Sequence, residues 1–306
     1  MAAALGVLVL FRVGWRITIL LLIWRLVIRP NYFPRREYKM ATSPAHLSIL
    51  RKLRGDIGEE DLGGNAIKAL AAMDTRYSFS STRVALNALR KEYPDNKEFI
   101  AEMQKRSKKW KDMDESQQPT EAQIAKYVSW AGILEFRDQY HEEMTPLQRM
   151  LIALYTYIPP VRLDFTPMRI VSRKPVKMED GMNYYVRSKV PYFIFHSYKT
   201  HGHYGDKVVK APKKLQAEID AYVPATNTYL LQDETGAPWQ EARLSQNVSR
   251  IFKQFHNLNT GVSMFRHSYA TKFHAGQLPL AVIKKTASAM MHGPLQSMTY
   301  RFLSLE

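Results

Sequence analysis

The chain has 306 residues, 45% of them hydrophobic, with 44 Lys plus Arg against 28 Asp plus Glu and a formal charge of +16. That content suffices for one or two buried cores, and the charge favours a polyanion as partner, nucleic acid before anionic membrane or acidic protein. The absence of cysteine excludes disulfides, thiolate catalysis and Cys-ligated zinc, and fits a reducing compartment.

Residues 5–28, LGVLVLFRVGWRITILLLIWRLVI, are long enough to span a bilayer. Arg12 and Arg16 lie inside that stretch and Arg25 near its end. Each central arginine costs about 2.5–3.5 kcal/mol on insertion, against about 0.3–0.6 gained per Leu, Ile, Val or Phe, so the balance is near zero. A signal peptide fits poorly, because no charged region precedes the apolar run and no small-residue cleavage site follows it. Residues 1–39 therefore read as a hydrophobic, basic extension. Met40 is an alternative start, and membrane contact by residues 5–28 is the less favoured reading.

Residues 40–113 read as a helical domain. NAIKALAAM and STRVALNALRKEY carry apolar residues at helical spacing, with Ser80, Ser81 or Thr82 as N-cap of the second and Pro94 as its stop. KEFIAEMQKRSKKWKDM is a further helix ending in Lys105, Arg106, Lys108, Lys109 and Lys111, which form either a solvated face or a phosphate-contacting one. DESQQPT, residues 114–120, reads as a linker. From 121 to 306 the pattern is mixed. Thr145 and Pro146 open a helix whose apolar face is Leu147, Met150, Leu151, Leu154 and Ile158, and Pro159-Pro160 stops it. MRIVS (168–172), VPYFIFHSY (190–198) and DKVVKA (206–211) read as short strands. KKLQAEIDAY is a helix, Leu244, Val248, Ile251, Phe252 and Phe255 line another, and SMFRHSYATKFHAG is a third, with Ser263 as cap and Gly276 past its end. The expected fold is mainly α with a small antiparallel β-sheet, an α+β chain.

Chemistry-bearing residues occur in one order through this second part. They are Arg162 in PPVRLDF, Lys199 in FHSYKTHGHYG, Arg266 in SMFRHSYATKF with Ser263 three before it, and His292 and Tyr300 in MMHGPLQSMTY. Taken singly, each has a bland reading. Arg162 can pair with Asp164 at the surface, or its planar fork can bind two phosphate oxygens. A lysine at a hairpin tip is usually solvated, a histidine beside glycine is usually a turn residue, and most tyrosines are structural. His201 and His203 resemble a metal pair, but without a carboxylate or thiolate partner they read as loop residues. No metal or other cofactor is expected.

The order and phrasing resemble the tyrosine recombinase, or phage-integrase-like, family, and especially its divergent members in eukaryotic viruses and mobile elements. The resemblance covers roughly residues 65–302. It implies a helical core-binding domain and a catalytic domain that clamp double-stranded DNA, a homo-oligomer (a tetramer) on that DNA, and a nuclear or virus-associated setting. The implied activity is site-specific strand exchange or integration through a 3′-phosphotyrosyl bond, which stores the phosphodiester's energy and needs neither ATP nor metal. Arg162 and Arg266 would neutralise the pentavalent phosphate, Lys199 would protonate the leaving 5′ oxygen, and His292 would bond a non-bridging oxygen. Tyr300 would attack, while Lys105, Arg106, Lys108 and Lys109 would contact DNA. Ser263 stands where the family has histidine and can donate a hydrogen bond but cannot act as that acid/base. Asp164 follows Arg162 by two positions rather than three, the interval from His292 to Tyr300 is one residue short, and only RFLSLE follows Tyr300. The rival readings are a type IB topoisomerase, a catalytically inactive DNA-binding descendant, and a membrane-anchored basic protein resting on residues 5–28 alone.

Overall fold

The computed structural model describes residues 43–276 and 278–305. Residues 5–28 and the alternative start at Met40 lie outside them. Among the described residues no helix is long and apolar enough to cross a membrane. Among the described residues the architecture is α+β, mainly helical with one four-stranded sheet. Contacts divide it into two units, one ending at Ser107 and the other beginning at Lys108.

In the first unit, α1 (Pro44–Ile57) starts where Ser43 Oγ accepts from the His46 N–H and proline fixes the first turn. It ends at Gly58, whose left-handed φ of 67° favours glycine. α2 (Ala66–Arg76) and α3 (Phe79–Glu92) pack on it, and α4 (Lys97–Ser116) follows. The N-cap of α3 is Ser78, not Ser80, Ser81 or Thr82, because Ser78 has the extended backbone that lets its Oγ receive the Ser81 N–H. Leu50, Leu53, Met73, Leu86, Leu89 and Phe99 form a fully buried core. Each such side chain contributes about 1.5–3 kcal/mol of burial free energy. Helix α4 runs on to Ser116, so the first three residues of the turn-rich stretch at 114–120 are helical.

The second unit is built on α7 (Pro146–Thr156), preceded by α5 (Glu121–Ile124) and α6 (Trp130–Gln139). Thr145 and Gln148 form a reciprocal capping box at the start of α7. Residues Met150 to Thr156 are all buried, so this helix is enclosed on every side over its last two turns. Strands β1 (Met168–Val171), β2 (Asn183–Val186), β3 (Tyr192–Phe195) and β4 (Lys207–Lys210) lie in sequence order across the sheet. The sheet is mixed rather than antiparallel throughout, because β1 pairs with β2 in parallel while β2–β3 and β3–β4 are antiparallel. The loop between β1 and β2 carries the chain back to its starting edge. Between β3 and β4 sits the short helix α8 (His201–Tyr204). Helices α9 (Lys213–Tyr222), α10 (Glu241–His256) and α11 (Val262–Phe273) complete the core, in which Phe136 stacks on Phe252 at 4.0 Å. Then come α12 (Leu280–Ala289), α13 (Pro294–Met298) and a final 3₁₀ turn, Leu303–Leu305.

Candidate active site

The phrase FRHSYAT works residue by residue. Val262, Met264, Phe265 and Ala270 are buried, Ser268 Oγ donates to the Val128 carbonyl, and Tyr269 meets Trp130 edge-on at 5.0 Å. Thr271 Oγ1 accepts the N–H of Phe302. With its neighbours so anchored, Arg266 is held in one place and is only 2% exposed. Its Nη1 donates to the Pro160 carbonyl at 2.8 Å, and its Nη2 contacts the Met290 carbonyl and the ring of His292. Its Nε has no partner. Burial pulls the guanidinium below the ordinary arginine range, and the like charge of Arg162 adds to that; Tyr300 and Asp164 oppose it.

Tyr300 lies over this arginine, with the guanidinium carbon 5.1 Å from the ring centroid. The ring of His292 is 4.8 Å from the same phenol. His292 is 3% exposed, and burial, with the charges of Arg266, Arg162 and Lys199 behind it, brings its pKa down to about 3. It is therefore a neutral hydrogen-bonding ring at pH 7. A Cβ on the Gly293 after it would lie 2.6 Å from Tyr204 Oη, so a larger residue there would displace the end of that exposed ring.

Arg162 is half-buried at the turn beyond α7. Its N–H donates to Asp164 Oδ2 at 3.1 Å, and its carbonyl accepts from the buried Tyr155 hydroxyl. The Asp164 interaction is thus with backbone, which leaves the Arg162 guanidinium facing the cavity. Burial raises the Asp164 pKa against the pull of Arg266. Lys199 is exposed on the loop after β3 and lines the same cavity. The cavity, about 550 Å³, is bounded by Arg162, Asp164, Lys199, Glu241, Ser263, Arg266 and Tyr300. Side chains from distant parts of the sequence thus converge on one concave, cation-rich space, with His292 buried directly behind Tyr300.

Ser263 is in the cavity wall and exposed, but it is not the helix cap. Gly261 is the N-cap residue, with extended backbone, and Ser263 falls at the second helical position. Two further side chains fix the backbone around the cavity: Asn183, which no motif marks, and His267, which follows Arg266 in the sequence. Asn183, 1% exposed, donates to the Asp164 and Ser197 carbonyls and accepts the His196 and Ser197 N–H groups, all at 2.7–2.9 Å. It ties the arginine turn to the lysine loop. His267 donates from Nδ1 to the Tyr300 carbonyl at 2.8 Å and stacks on Phe302 at 4.3 Å. Its signal was its adjacency to Arg266, but only the fold reveals the target.

The basic run on α4 divides. Arg106 turns inward: Nη1 and Nη2 meet the two Asp74 oxygens at 2.7 and 2.8 Å, and Nε meets Glu102. This departs from the expected phosphate contact, because Asp74 and Glu102 already neutralise the fork. Lys105, Lys108 and Lys109 are exposed, Lys105 lying 3.6 Å from Glu102. The expectation that the loop histidines lack a carboxylate also fails for His201. Its Nε2 lies 2.9 Å from Asp206 Oδ1, and His196 Nδ1 lies 2.7 Å from the same oxygen.

No family model and no curated protein matches this sequence. Among solved structures, the chain is similar to that described as the crystal structure of XerA recombinase, with a TM-score of 0.42 and 12% identity over 85% of this chain and 86% of the other. A likeness of that size assigns neither family nor activity.

Proposed function

We propose that this protein cleaves and rejoins double-stranded DNA through a 3′-phosphotyrosyl intermediate, in site-specific recombination or integration. One observation carries the reading: Tyr300 lies against the buried guanidinium of Arg266, which makes no salt bridge among the described residues, at the edge of a cavity that also holds Arg162 and Lys199. A tyrosine attacking phosphate needs cations placed where charge develops, and pre-set donors in a partly enclosed site supply that stabilisation. The Tyr300 oxygen bonds to phosphorus as its proton leaves to solvent. The bond from phosphorus to the 5′ oxygen breaks, and Lys199 gives that oxygen a proton. Arg162 and Arg266 hold the non-bridging oxygens, with neutral His292 as a further hydrogen-bonding group. Lys105, Lys108 and Lys109 contribute sequence-independent phosphate contacts, and the enzyme assembles as a homo-oligomer on its DNA.

A second reading, DNA binding without cleavage, is favoured by the 2% exposure of Arg266 and by Ser263 in place of a histidine. Suicide substrates separate the two. Nicked duplexes from a candidate-site library are incubated with the full chain, and adducts are mapped by peptide mass spectrometry. A phosphodiester-linked adduct at Tyr300 is expected. DNA retention with no adduct on any nicked duplex would establish the inactive reading.

A further inference from the structure

We infer that His196, His201 and Asp206 form a binding site for a divalent first-row transition metal, zinc being the best fit, at the base of the loop between β3 and β4. The pairing register builds it. Phe195 faces Lys207 at the end of the antiparallel pair, so the next pair out is His196 opposite Asp206. The intervening turn of helix then brings His201 over both. The three ligand atoms lie within 4.8 Å of one another, and the two imidazole rings meet at 4.7 Å. A metal at their centre needs only small side-chain movements to reach the usual distances of about 2.0–2.2 Å to nitrogen and oxygen.

The backbone around these ligands is fixed independently of them. On one side, Asn183 holds the N–H groups of His196 and Ser197. On the other, the Tyr198 hydroxyl donates to the Gly205 carbonyl, and the Gly205 N–H donates to that of His201. Gly205 has φ 61° and ψ −165°, a conformation that essentially only glycine adopts, and it turns the chain so that Asp206 points back at the histidines. Thr200 fastens the loop to the Met291 carbonyl beside His292. Two neutral imidazoles and one carboxylate suit zinc, cobalt or nickel, whereas magnesium and calcium prefer all-oxygen sites. The ligand side chains are 20%, 34% and 35% exposed, so the remaining coordination positions open to water. Metal binding would fasten the loop that carries Lys199. The inference stands without the DNA-cleavage reading, because its test does not involve DNA.

The full-length chain, freed of metal by chelation, is titrated with Zn²⁺ by calorimetry and with Co²⁺ by visible absorption. About one equivalent should bind, with d–d bands of a nitrogen- and oxygen-ligated site, and millimolar Mg²⁺ should not compete. His201→Ala and Asp206→Asn should each weaken binding by at least about tenfold. His203→Ala, an exposed neighbour, should leave it unchanged. Hydrogen exchange across residues 196–206 should slow with Zn²⁺ in the parent and not in Asp206→Asn. Should His201→Ala fail to fold, the isosteric Asp206→Asn decides alone. Absence of saturable binding, competition by Mg²⁺, or equal losses in the His203 and His201 variants would overturn the site and leave Asp206 as a carboxylate held by two imidazoles.

Discussion

Arg106 and Arg266 are both largely enclosed, and the protein treats them in opposite ways. Arg106, with 11% of its side chain exposed, lies between Asp74 and Glu102, and these carboxylates push its pKa above the ordinary arginine range. Arg266 makes no salt bridge among the described residues. Its hydrogen bonds go to carbonyls and to a neutral histidine ring, and burial lowers its pKa. Burying a cation costs several kcal/mol unless a partner offsets it. A carboxylate partner makes Arg106 a structural tie. The lack of a carboxylate in salt-bridge contact leaves the charge of Arg266 only partly offset, by Tyr300 and Asp164, beside a cavity that can receive an anion.

The contrast breaks most sharply at the tyrosine that covers Arg266. Tyr300→Phe should abolish adduct formation while DNA affinity stays unchanged, as measured by suicide-substrate trapping and filter binding. Adduct in that variant would remove Tyr300 from the reaction. Next, Arg266→Ala and Arg162→Ala should each slow cleavage by at least about 10²-fold, with much smaller effects on binding. Arg106→Lys should leave the cleavage rate alone and lower stability by only about 1 kcal/mol, since its Asp74 partner is half exposed. If all three variants lose cleavage and binding in parallel, the two arginines do not differ in kind.

Lys199→Ala should slow cleavage of ordinary DNA by about 10²-fold, the usual contribution of a general acid. A substrate with 5′-bridging sulfur needs no such proton and should recover most of the rate; no recovery rejects the role. A smaller effect concerns pH. The folded His292 titrates at about 3, below its unfolded value of about 6.5. Between those values the unfolded chain binds more protons, so stability falls as the solution is acidified through that window and is flat above it. His292→Gln should remove about 2 kcal/mol of that loss at pH 5, measured by urea unfolding. An unchanged acid slope would mean that the ring is not kept neutral. The smallest effect is on salt dependence: Lys108→Ala should reduce the slope of log K against log salt by about 0.9, whereas Arg106→Ala should not change it.

Most helices were legible because their apolar faces repeat at helical spacing, as in α3, α7 and α10. Strand β2 was not. All four of its residues are buried, so it lacks the alternation of a one-sided strand, and it opens with asparagine, a poor strand former. Asn183 is there for its hydrogen bonds, a tertiary reason with no local trace. Without β2 the sheet reads as antiparallel, since its only parallel pair disappears. Helix α1 carried a readable Ser-Pro start that its polar composition obscured. At the site, Arg162, Lys199, Arg266, His292 and Tyr300 follow from order and phrasing, and the fold brings them together. The partnership of Asp206 with the histidines was hidden because it depends on hairpin register. Likewise the bonds from Arg106 to Asp74 and from His267 to Tyr300 join helices and turns whose packing no spacing reveals.

The two walls of the cavity are joined by an amide. Asn183 bonds the backbone beneath Asp164 on one side and that of His196 and Ser197 on the other. An ion pair in that place would loosen with ionic strength and with acid, and ionic conditions change abruptly where a protein meets a polyelectrolyte and displaces its condensed counterions. A buried amide neither titrates nor is screened. The distance between the arginine turn and the lysine loop is therefore set by a gauge that reads the same in dilute buffer and in concentrated salt.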